Sequence, residues 1–253
     1  MSIFAVFALI NAVASFFFGL LVIFKKRTSE NIHFFLFAFS TVFWSLAYFM
    51  WQIATTGQGA IFWSKLLTIG SIMIPVLYFR FVSIFLGVGK KKPNKISFFI
   101  GLFLIVFFVL ISPTSLLVDG VSEKMGFTFW PNAGKLYWLF LLTFFFFLFY
   151  FTVLLIKHYR KITGIKKAQI KFLLIGILIS FTGGSTNFFL WYDLPVKPYG
   201  NAIVSTYVIF TAYAIIRYRL MNIKFVIRRW GVYLASVGSV IAVVFVLIIL
   251  FEK

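Results

Sequence analysis

Residues 187–229 read NFFLWYDLPVKPYGNAIVSTYVIFTAYAIIRYRLMNIKFVIRR. The first part, from Trp191 to Asn201, is a polar turn with aromatics, one acid, two prolines and a Gly-Asn pair. An apolar run follows and ends in the basic residues Arg217, Arg219, Lys224, Arg228 and Arg229. About 20 apolar residues cross a bilayer as one helix. The stretch therefore predicts a membrane span with a polar turn at one end and a cationic anchor at the other.

Working outward, the whole chain fits that reading. It has 253 residues, 62% hydrophobic and 11% charged, against about 45–50% and 25% in soluble domains. No soluble core of this size could hide so much apolar surface. The apolar runs are long and continuous, which excludes a β-barrel with its alternating strands. The expected fold is an all-α integral membrane protein, a polytopic bundle of about eight transmembrane helices with the N-terminus outside.

The predicted spans cover residues 3–24, 32–53, 61–86, 96–111, 136–156, 172–190, 201–216 and 231–251. Pro75 falls inside the third and should kink it. The first is not a cleaved signal peptide, because its basic residues follow the apolar run. Four loops hold Lys25, Lys26 and Arg27; Lys90, Lys91, Lys92 and Lys95; Lys157, Arg160, Lys161, Lys166, Lys167 and Lys171; and the five basic residues of the exit. Together these are 18 of the 24 lysines and arginines. By the positive-inside rule they are cytosolic. Asp119, Glu123, Asp193 and Glu252 then lie outside, and Glu30 inside. The longest outer loop is residues 112–135. Residues 1–229 form one membrane domain, and 230–253 add a further span that leaves Lys253 outside.

The net charge of +19 follows from this topology, and no nucleic-acid partner is expected. The chain has no cysteine, so disulfide, thiol and Cys-zinc chemistry are absent. It has no His-Glu-x-x-His helix and too few acids for a metal site. No cofactor, metal or catalytic residue is expected.

Two bases fall within spans. Lys65 sits near the outer boundary and can snorkel to the head groups. Arg80 lies deeper, where a centred arginine costs about 2.5–3.5 kcal/mol on insertion scales. It either snorkels inward or binds carbonyls or a neighbouring helix near Pro75. Gly176, Ser180 and Gly184 recur every four residues, the pattern of a close helix contact. For the polar turn two readings stand. Trp130, Asn187, Trp191, Asp193, Tyr199 and Asn201 offer apolar faces and hydrogen-bonding edges suited to a small-molecule ligand. Alternatively Trp and Tyr form the interfacial belt, and Asn201 caps a helix.

Pro198, Gly200-Asn201, Ala212-Tyr213-Ala214-Ile215 and Arg217-Tyr218-Arg219-Leu220 resemble the N-terminal seven-transmembrane sensor region of bacterial membrane histidine kinases. Met221-Asn222-Ile223 stands where that family commonly has an aspartate in second place. Trp44, Tyr48, Pro75 and Gln169 are similar to the family as well. The resemblance implies a signal-sensing input domain in the bacterial cytoplasmic membrane, relaying to a histidine kinase or other cytosolic partner. His33 and His158 do not sit in a kinase-like hairpin, so this chain is expected to lack its own kinase core and to be either a truncated sensor or a stand-alone relative that works through a partner. Anionic lipid at the inner face, a small-molecule ligand and a homodimer are the other expected partners. The alternative is a small transporter or channel component, although intramembrane acids and repeats, the usual marks of one, are lacking. An intramembrane enzyme has less support still.

Overall fold

The computed structural model describes residues 2–218. The span expected over residues 231–251 lies outside the described residues, as do Arg219, Arg228 and Arg229. α1 (Ile3–Lys25) and α2 (Ser29–Gln52) run antiparallel. Each starts on a hydroxyl cap. Ser2 Oγ accepts the Ala5 amide at 3.2 Å and Thr28 Oγ1 accepts the Asn31 amide at 3.3 Å, satisfying donors that a first helical turn leaves open. Ser2 Oγ also donates to Gln52 Oε1 at 2.9 Å, which fixes the start of α1 beside the end of α2.

Small residues set the spacing of the next helix. α3 (Gly57–Phe85) presents Gly70 to α2, where a Cβ would lie 2.9 Å from Trp44 Cα. Such close approach is how helices associate when lipid removes the hydrophobic drive. Pro75 is buried inside α3. α4 (Lys92–Ile111) packs on α3 but leaves Phe103 and Leu110 exposed, a face that meets lipid in a bilayer.

The loop expected over residues 112–135 is not irregular. It forms an antiparallel hairpin, β1 (Val118–Lys124) and β2 (Phe127–Ala133). The turn is Met125-Gly126, with φ of 49° and 86°, as a two-residue hairpin loop of the type I′ kind requires. The fold is thus helical with one small sheet. α5 (Tyr137–Lys161), α6 (Gly164–Ser185), the short α7 (Asn187–Trp191), a 3-10 turn (Tyr199–Ile203) and α8 (Thr206–Tyr218) complete the described chain. Arg217 lies on α8.

One expectation changes. The basic segment 157–171 is not a loop: α5 runs through Lys161 and α6 begins at Gly164, whose φ is +64°. Lysine, arginine and glutamine are good helix formers, so the helices continue past their apolar runs into the polar layer. The break falls where glycine tolerates the left-handed backbone. Of the eight expected spans, the seventh is described as far as Tyr218 and the eighth lies outside the described residues. Among the described residues six helical segments are long and apolar enough to cross a membrane, α1 to α5 and the α6–α7 unit Gly164–Trp191, and α8 packs against α6. The core between them is aromatic. The buried Tyr78 ring sits 4.8 Å from Phe37 and 4.7 Å from Phe151.

Candidate functional site

At the hairpin end the helices line a half-open cavity of about 70 Å³. Helical periodicity explains its walls. α2 contributes Phe37, Thr41, Trp44, Tyr48 and Trp51, spaced by three and four residues and so on one face. α3 contributes Leu67, Ser71 and Ile74 with the same spacing; α5 gives Tyr137 and Phe144; α6 gives Ile177, Ser180, Phe181 and Gly184. Asn187, Phe188 and Trp191 come from α7, and Tyr207 from α8.

Hydrogen bonds tie these walls together. Tyr48 donates to Asn187 Oδ1 at 3.0 Å. Asn187 Nδ2 donates to Gly184 O at 2.9 Å and to Asn201 Oδ1 at 3.3 Å. Tyr207 Oη and Ser15 Oγ lie 2.6 Å apart, and the Tyr207 amide donates to Ser180 Oγ at 3.0 Å. Trp191 stacks on Tyr137 with centroids 4.4 Å apart and planes 10° from parallel. Above them, the Trp51 indole N–H donates to Phe129 O of β2 at 2.7 Å, so the hairpin is fastened to α2.

The structure separates the residues that the polar turn suggested. Asn187 and Trp191 line the cavity. Asn201 is buried behind Asn187 in the 3-10 turn; it is not the cap of α8, which starts at Thr206. Trp130 is fully buried under the hairpin, edge-on to Trp51 at 4.8 Å, and does not reach the cavity wall. Tyr199 is exposed with its ring 6.2 Å from that of Phe4. Asp193 is 80% exposed and pairs with Lys124 of β1 at 2.9 Å. The Lys124 side chain is buried, and it also donates to Leu190 O at 3.0 Å. This lysine was the unread member of the outer loop. Tyr192, just past α7, is held above its ordinary phenol pKa by burial and stays neutral.

The other singled-out residues have defined surroundings. Lys65 Nζ donates to Pro113 O at 2.7 Å, just past the end of α4. Arg80 reaches toward the basic end, donating to Gly89 O at 3.1 Å, with its guanidinium 4.7 Å from the Phe98 ring centroid. It thus uses both a carbonyl and a neighbouring helix. Gly176 and Ser180 face α8: a Cβ on Gly176 would lie 2.8 Å from Phe210 Cβ. The tightest point is Gly183, not Gly184. A Cβ on Gly183 would collide with Gly200 O, whereas one on Gly184 would meet Val204 at an ordinary 3.6 Å.

Thr41, Ser71, Tyr137 and Tyr207 escaped the sequence reading. The α2 spacing of Phe37, Thr41, Trp44, Tyr48 and Trp51 was a usable signal. The partners across helices were not, because periodicity orients a face without saying what it meets. No carboxylate, imidazole or amine lines the cavity, so it can bind and orient but has no acid–base pair.

Long apolar helices around an uncharged internal cavity define a multi-pass membrane protein. The model of one family, described as the N-terminal 7TM region of histidine kinase, matches residues 7–224. The chain belongs to that family. This region is the membrane sensor input part of such kinases, distinct from their catalytic part. No match was found among curated proteins or among solved structures.

Proposed function

We propose that the chain senses a small molecule, arriving from outside or from the membrane, and relays its presence through α8 to a cytosolic output. The observation that carries this reading is the position of Tyr207. It lines the cavity with its ring while its hydroxyl meets Ser15 of α1 and its amide meets Ser180 of α6. Anything that fills the cavity pushes on the helix leading to Arg217 and the basic exit. A ligand shifts this arrangement only by its differential affinity for two states; a tenfold preference supplies about 1.4 kcal/mol.

In this reading the hairpin end is outside, the basic end faces the cytosol and anionic lipid, and the membrane is the bacterial cytoplasmic one. The output is a histidine-kinase core or another signalling partner, reached through residues 219–229, and pairing of two copies is part of the same proposal. On the same proposal the apolar run within residues 230–253 is a further span. A reporter fused after Arg229 should be active in the cytosol and one after Lys253 inactive; the reverse pattern would overturn the orientation.

The function is tested with a histidine-kinase core fused after Arg229 and assayed for autophosphorylation in membrane vesicles. Filling the cavity by Ser71→Phe should change the rate at least threefold. The lipid-facing Phe103→Leu should leave it unchanged. Equal rates for all three proteins would refute the coupling.

A further inference from the structure

The chemistry of the cavity wall limits what can bind there. Ten of its nineteen lining residues are aromatic, and none carries a charge. A charged group would enter without a counter-ion, at a cost of several kcal/mol in a low-dielectric interior. The volume of about 70 Å³ is about half that of an engineered apolar cavity that takes benzene, so an occupant is no larger than one substituted ring and reaches out through the open side.

The hydroxyls on the wall add a polarity. Thr41, Ser71 and Ser180 stand near the middle of three different helices and each has one hydrogen to give. Thr41 gives it to Phe37 O at 3.2 Å, Ser71 to Leu67 O at 2.9 Å and Ser180 to Gly176 O at 2.8 Å. Tyr48 is engaged with Asn187 in the same way, and the Asn187 amide hydrogens are used on Gly184 and Asn201. A hydroxyl whose hydrogen is engaged still has acceptor lone pairs. Ser180 Oγ already accepts the Tyr207 amide at 3.0 Å and Thr41 lies against the Tyr207 hydroxyl, so Ser71 is the acceptor left to the cavity inside an aromatic box.

We infer that the cavity takes a compact, uncharged ring compound bearing a hydrogen-bond donor, with a phenol-type hydroxyl directed at the acceptor oxygen of Ser71. This rests on reading the cavity as the sensing site. It excludes carboxylates, amines and peptides as occupants. The aromatic walls supply the apolar and ring–ring contact, and the Ser71 acceptor supplies selection, because a donor with no acceptor loses its hydrogen bonds to water on entry.

The test uses the 253-residue chain in lipid nanodiscs with fluorine NMR of four probes: 4-fluorophenol, 4-fluoroanisole, 4-fluorotoluene and 4-fluorobenzoate. Empty nanodiscs correct for partition into lipid. The expected result is saturable broadening of 4-fluorophenol, reversed by excess phenol and abolished by Ser71→Phe. 4-Fluoroanisole, which lacks the donor, should bind at least tenfold more weakly, and 4-fluorobenzoate not at all. Ser71→Ala removes that acceptor and leaves the aromatic walls in place. It should weaken 4-fluorophenol about tenfold and leave 4-fluorotoluene unchanged, a split that misfolding would not produce. Equal binding of phenol and anisole, or binding of benzoate, would overturn the assignment of ligand class. So would the absence of saturable binding by any probe. If in that case Ser71→Phe still alters autophosphorylation of the kinase fusion, the sensing role of the cavity stands and only the ligand class falls.

Discussion

Lys124 and Asp193 join the hairpin to the turn after α7, and their geometry makes a quantitative prediction. The ammonium is buried and bonds Leu190 O at 3.0 Å and Asp193 Oδ1 at 2.9 Å, while the carboxylate is 80% exposed. Solvent screens the carboxylate, so its share of the pair is about 1 kcal/mol at most. The bond to Leu190 O is charge-assisted, for which about 1.5–3 kcal/mol is typical. Asp193 also has φ of +59°, a left-handed backbone that Asn shares readily and Ala does not, at a penalty of about 1 kcal/mol. Lys124→Met, which keeps the apolar stem, should therefore destabilise by about 2.5–4 kcal/mol, the two terms together. Asp193→Asn should cost about 1 kcal/mol, the pair energy. Asp193→Ala should cost about 2 kcal/mol, the pair energy plus the backbone strain. At about 2–4 °C per kcal/mol for a chain of this size, the melting shifts are roughly 5–16 °C for Lys124→Met, roughly 4–8 °C for Asp193→Ala and half the latter for Asp193→Asn. Melting can be followed by tryptophan fluorescence in nanodiscs. The double variant Lys124→Met/Asp193→Asn should fall short of the sum by about 1 kcal/mol, the coupling energy. Additive effects, or Asp193→Ala no worse than Asp193→Asn, would refute the reasoning.

Three further outcomes follow from the same geometry. Gly183→Ala, whose Cβ would run into Gly200 O, should destabilise by about 1–3 kcal/mol as overpacking does, whereas Gly184→Ala should melt within a degree or two of the parent. Tyr207→Phe keeps the ring and removes the 2.6 Å contact with Ser15; an intramembrane hydrogen bond of this kind is worth about 0.6 kcal/mol on average, so the melting point should barely move while autophosphorylation of the kinase fusion changes. Met125→Asn puts a residue tolerant of positive φ at the hairpin turn and should stabilise the chain by about 0.5–1 kcal/mol, read as a small rise in melting point; a fall would mean that the exposed Met125 side chain makes a stabilising contact.

Much of the bundle was legible because membrane insertion acts on local composition. Apolar length marked the spans that the structure describes, and the basic residues marked one end of the bundle. Where reading failed, local signals gave out. Helix ends beyond the apolar runs are set by backbone hydrogen bonding and not by hydropathy, so α5 and α6 run into the basic segment. The hairpin at residues 118–133 hides in a weak pattern, since its strands have only seven residues each and its turn uses Met-Gly in place of a stronger Asn-Gly signal.

The stretch at residues 187–229 shows the division most clearly. By itself it specified an apolar helix, a polar turn before it and a cationic exit, because these depend on the transfer of each residue between water and lipid. It also carried the motifs of the sensor family. Only the tertiary structure decided that Asn187 and Trp191 enter the cavity while Asp193 turns outward to Lys124 and Tyr199 stays on the surface. It likewise decided that Tyr207 couples α8 to α1 and α6. Those outcomes depend on contacts between residues as far apart as Ser15 and Tyr207, and pairings across that distance are fixed by how the helices pack, not by the order of residues along any one of them.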